Sequence, residues 1–171
     1  MKKYYIMVSL LLSTSLLVSA GPKQKKVDNW IDASVKQKSE LRASLVKANM
    51  PIMSAWIKAK QKAVPMSADL TGLDQLVLVT AAGPDGTDWG TRANARLIKA
   101  DGSSVWLDEL DPDYWVSGSG SIRKNTDLYG NPLLIGGKKY DHSVLCHANG
   151  VMVYNINKEY VRFEAEVGLA D

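Results

Sequence analysis

The chain has 171 residues, a formal net charge of +3, 46% hydrophobic residues and 23% charged residues. Those fractions describe a globular chain and exclude a wholly disordered one; a mean hydropathy of −0.14 excludes a multi-span membrane protein, and so small a charge does not imply nucleic acid. The single cysteine, Cys146, rules out an intramolecular disulfide and a cysteine-based zinc cage.

The chain opens with Lys2 and Lys3, then an apolar run from Ile6 to Val18 broken only by Ser and Thr. Small residues, Val18-Ser19-Ala20, precede Gly21. This is the pattern of an export leader over residues 1–20, cleaved after Ala20. The run is shorter than the roughly 20 residues that span a bilayer. An uncleaved N-terminal anchor is the alternative. No cysteine follows for a lipid anchor. The expected product is exported, periplasmic or secreted.

Residues 21–65 carry ten Lys/Arg and three Asp/Glu, a net of +7; residues 66–171 carry nine and fifteen, a net of −6. Between 28 and 49 there is no Gly or Pro, and Trp30, Ile31, Val35, Leu41, Leu45 and Ala48 recur at helical spacing. Asp28 suits the N-cap. Pro51 ends this helix or opens a second, with Ile52, Met53, Trp56 and Ile57 as its apolar face. The segment reads as basic and helical, either a spacer with a solvated lysine face or an element docking on an acidic surface.

Beyond Pro65 the pattern is of short strands and turns. Leu76-Val77-Leu78-Val79 is an apolar run followed by the turn-rich Gly83-Pro84-Asp85-Gly86. Ala95 to Ile98, Val105 to Leu107, Tyr114 to Val116, Leu133 to Ile135, Val144 to Ala148 and Val151 to Ile156 are further strands. In the last, Tyr160 to Val167, Val161, Phe163, Ala165 and Val167 alternate with Arg162, Glu164 and Glu166, as in a half-buried strand. Many short strands at regular spacing predict a mostly β protein, a β-sandwich or jelly roll.

The last third carries a resemblance. Gly130-Asn131-Pro132-Leu133, Ile135-Gly136-Gly137-Lys138-Lys139-Tyr140, His147-Ala148, Tyr154, and Tyr160-Val161-Arg162-Phe163 with Ala165 and Val167-Gly168-Leu169 follow in order. In this, residues 105–171 resemble the NPCBM family of carbohydrate-binding modules, which also accompanies glycoside hydrolase family 98 enzymes. The resemblance implies a galactose-binding-like β-sandwich, a carbohydrate or polysaccharide partner, and a secreted bacterial setting beside envelope proteins or glycoside hydrolases. It departs from the family at Ser119, Ser143 and Leu145. It also implies further strands after Asp171, so the sandwich is expected to be incomplete unless residues 73–98 close it. Those residues, within the 66–104 segment, resemble the closing strands of such a module. Weak or undetectable glycan binding is expected on both grounds.

Four residues stand out as candidate sugar contacts: Trp89, Trp115, His147 and Tyr154. A pyranose packs its C–H face on an indole while its hydroxyls bond polar neighbours. Trp89 falls in a Gly/Asp-rich loop, which favours binding more than a strand position does, with packing inside the sandwich as the alternative. Trp106 and Trp115 fall in strands, which favours core packing. His147 and Tyr154 stand at the family's His and Tyr positions; His147 either donates to a sugar hydroxyl or fixes a strand–turn geometry. His142, Cys146 and His147 lack the ligand number and spacing of a metal site. Asp85 and Asp88 suit a turn more than a structural Ca²⁺. No nucleophile elbow, phosphate loop or zinc-hydrolase motif is present, so no catalytic residue or cofactor is assigned and no enzyme is expected. The other class of function weighed is a structural or protein-interaction module of the cell envelope that binds no sugar, or a non-functional gene fragment.

Overall fold

The structure is a computed structural model that describes residues 5–13, 52–54, 57–82 and 89–171. The helix read over 28–49, Trp56, and the 83–88 turn with Asp85 and Asp88 lie outside the described residues. Fourteen strands appear in chain order: β1 Tyr5–Ser13, β2 Ile52–Met53, β3 Ile57–Lys58, β4 Val64–Asp69, β5 Gln75–Ala82, β6 Trp89–Ile98, β7 Ser104–Trp106, β8 Tyr114–Val116, β9 Arg123–Lys124, β10 Leu133–Ile135, β11 Lys138–Tyr140, β12 Ser143–His147, β13 Gly150–Asn155 and β14 Arg162–Leu169. A single 3₁₀ turn, η1, covers Leu107–Glu109. No helix among them is long and apolar enough to cross a membrane.

The strands form two antiparallel sheets, a β-sandwich, and one separate hairpin. One sheet runs β2-β1-β5-β13-β8, the other β4-β14-β6-β12-β9, with β7 continuing the β12 side of β6. Where a second helix was expected after Pro51, Ile52–Met53 and Ile57–Lys58 are short strands on β1. β-Branched isoleucines favour an extended backbone when a ladder is available. Pro65 lies inside β4, opposite Glu166, on the edge strand where a missing N–H does no harm.

Side-chain alternation decides what faces what. On the first sheet Leu76, Leu78, Met152 and Tyr154 point inward; on the second Met66, Ala68, Leu97, Val144, Phe163 and Val167 do. All are at most 7% exposed and form one core. The outer face of the second sheet is covered in turn by the β10–β11 hairpin. Leu133, Ile135 and Tyr140 pack there with Ala93 and Leu145. Gly168 lies under the Ile135 side chain, where a Cβ has no room.

The segment ahead of the resemblance contributes strands to this sandwich. β5 pairs with β13, β6 pairs with both β12 and β14, and β4 pairs with β14. Residues 64–98 therefore supply three strands to the same two sheets.

Candidate functional site

Trp89 and His147 meet across a strand pair. Trp89 opens β6 instead of lying in a loop, because the ladder with β12 reaches Gly90 and pairs Trp89 with His147. Both side chains share the outer face of their sheet, with rings in an edge-on arrangement 4.9 Å apart at 84°. Trp89 is half-buried against the hairpin cluster.

The loop after β8 closes over this pair. The His147 N–H donates to Ser117 Oγ at 3.2 Å, and the Gly118 N–H donates to the His147 carbonyl at 3.2 Å. Ser117 Oγ in turn donates to the Ser119 carbonyl at 2.8 Å. Gly118 lies against the Ala148 carbonyl, where any Cβ would collide with backbone. Gly120, at φ +62°, lies beside Trp89, so that an added Cβ would be in van der Waals contact with the ring. The Asn149 side-chain carbonyl accepts from the Ala82 N–H at 2.9 Å, tying the turn to β5. His147 Nδ1 is closed off from solvent and has no partner among the described residues.

The other two candidates separate. Trp115 lies on the opposite sheet, paired with Met152, and is 40% exposed. Edge strand β8 leaves its ring partly in water, contrary to core packing. Tyr154 is a correction: its register opposite Leu76 turns it into the core, 2% exposed, out of reach of a dissolved ligand. Burial pushes its phenol well above the ordinary range.

Sequence reasoning missed a second cluster at the other end of β12. His142 and Trp106 stack face to face, centroids 4.3 Å apart and planes at 10°. They meet because β7 and β12 follow one another along the same edge of β6: Trp106 pairs with Arg96, Ser143 with Ala93, and the Asn94 N–H donates to the His142 carbonyl at 2.9 Å. The Asp108 carboxylate, from η1, lies 3.0 Å from His142 Nδ1 and accepts from Asn125 Nδ2 at 2.9 Å. Asn125 Oδ1 accepts the Ser143 N–H at 2.7 Å. Trp106 stands in a strand pattern that favours core packing, so nothing local in the sequence points to this cluster.

Cys146 is fully buried, and burial raises its thiol above the ordinary value. Its S–H lies 3.4 Å from the Val116 carbonyl. Among the described residues no group of three His, Cys, Asp or Glu side chains is placed to hold a metal ion.

Residues 103–171 match the family model of the NPCBM/NEW2 domain. The match spans β7 to β14 and so holds His142, Trp106 and His147, while Trp89 precedes it. No curated protein and no solved structure matches the chain.

Proposed function

We propose that the protein is an exported, non-catalytic glycan-binding protein, with Trp89 and His147 at its binding surface. The observation that carries this reading is the NPCBM/NEW2 match over residues 103–171, within a β-sandwich to which residues 64–98 supply three strands. Trp89 lies outside the matched stretch, but β6 brings it onto the matched His147. An indole offers the C–H face of a pyranose a flat apolar partner, while nearby backbone and serine groups take the hydroxyls. The 117–121 loop supplies such groups at Ser117 and Ser119, and its two glycines let the backbone approach closely.

Trp115 extends the same reading as an exposed aromatic two residues before Ser117. The whole chain, incubated with insoluble polysaccharides rich in galactose, fucose or glucose, is expected to be retained on at least one and released by the matching free oligosaccharide. Failure to be retained on any of them would count against glycan binding.

A further inference from the structure

The cluster at the start of β12 has the build of a ligand contact. Asp108 is almost wholly buried, its side chain 5% exposed, yet it spends its carboxylate on one partly exposed imidazole and one amide. A carboxylate only accepts hydrogen bonds, so His142 Nδ1 carries the ring proton. In the neutral ring Nε2 is then an acceptor and in the imidazolium a donor, and a hydroxyl pairs with either. The His142 side chain is 34% exposed. Stacking on Trp106 fixes the plane of the ring, and the Asp108 contact fixes its rotation. Asp108 is itself held by Asn125, whose other amide atom is bound by the β12 backbone.

We infer that His142 is a second ligand contact of this protein, taking a sugar hydroxyl on Nε2 beside the edge of Trp106. The inference rests on the glycan reading, and it adds a site five residues along β12 from His147, about 17 Å in an extended strand. A sugar hydroxyl both donates and accepts, so it can pair with Nε2 of the ring that Asp108 holds through Nδ1. An orientation fixed in advance removes the ordering cost that a free histidine would meet on binding. The surrounding polar groups suit a hydroxylated ligand: Lys124 pairs with Asp111 at 2.6 Å, and Asn125 is exposed. A purely structural imidazole would equally tie η1 to β12, so the test reads the ligand directly.

The experiment follows the His142 ring ¹⁵N resonances of the whole chain during titration with galactose-, fucose- and glucose-containing oligosaccharides. The Nε2 resonance is expected to move and saturate together with binding. His142→Phe, which keeps a ring on Trp106 and removes Nε2, is expected to lower affinity about fivefold, the loss of one hydrogen bond. The wild-type titration needs no variant, so a misfolded His142→Phe would leave the test intact. Oligosaccharide binding that Trp89→Ala weakens, with the His142 resonances unmoved, would overturn this site alone. Absence of binding by the wild-type chain to every sugar would overturn both sites together.

Discussion

Arg92 carries a guanidinium into the space between the two sheets, where it is fully buried. Its Nη1 donates to Thr80 Oγ1 at 2.6 Å and to the Gly90 carbonyl at 3.2 Å, while Nε and Nη2 have no partner among the described residues. Burial lowers its pKa to about 10, against smaller opposing effects from Cys146 and Tyr154. An unpaired buried charge is a net cost, so an apolar replacement of similar length should be tolerated. Arg92→Met alone would leave Thr80 Oγ1 without its donor, so the informative variant is Arg92→Met with Thr80→Val. The pair is expected to raise the unfolding free energy by about 1–4 kcal/mol, measured by urea denaturation. A lower stability than wild type would mean that the guanidinium is satisfied in a way its two bonds to Thr80 and Gly90 do not account for.

The β10–β11 hairpin is bound to the second sheet by polar links as well as by Leu133 and Ile135. Asn94 Nδ2 from β6, Lys138 Nζ from β11 and Tyr140 Oη from β11 all donate to the Glu166 carboxylate of β14, the last at 2.7 Å. Asp171 accepts the Gly136 and Gly137 N–H groups at the hairpin turn. Burial pushes the Glu166 carboxyl up, but the hydrogen bonds from Tyr140, Asn94 and Lys138 together outweigh it and leave it below its ordinary value. A carboxyl depressed in the folded state stabilises the fold above its unfolded pKa, and that share disappears as pH falls through the folded value. Glu166→Gln is therefore expected to unfold at lower urea than wild type at neutral pH, with the difference closing in acid. A difference that stays constant with pH would show that the charge of Glu166 contributes nothing. At this scale the strands themselves were largely readable. The alternation of Phe163, Ala165 and Val167 predicts β14, and Tyr114 to Val116 and Leu133 to Ile135 coincide with β8 and β10. Lys138–Tyr140 and Arg123–Lys124 escaped notice because lysine and arginine carry no apolar alternation, and tertiary pairing alone makes them strands. The Trp106–His142–Asp108 cluster was invisible for a related reason. It exists only because β7 and β12 share one edge of β6, which no local spacing encodes.

At the scale of the whole molecule, the chain order of the strands differs from the order in which they pack. Residues 64–98 precede the NPCBM/NEW2 stretch yet lie within both of its sheets. The β-sandwich followed from composition and strand spacing; how the two stretches interleave did not, because pairing partners such as Trp89 and His147 are far apart in sequence. The apolar run read as an export leader also supplies β1, which pairs with β5 from Ile6↔Ala82 to Ser13↔Gln75. Cleavage before Gly21 would release that ladder and turn β5 into an edge strand. Mass spectrometry of the exported product is expected to show a chain starting at Gly21; a product that retains Met1 would contradict the leader reading. The account as a whole stands on Trp89 meeting a sugar ring beside His147. Calorimetric titration of the wild-type chain and of Trp89→Ala with an oligosaccharide from the retaining polysaccharide tests this most directly. The account predicts measurable, weak binding by wild type and a loss of about 1–3 kcal/mol in the variant, by analogy with ring stacking on aromatic side chains in single-stranded nucleic-acid binding. Equal binding by the two proteins would contradict it.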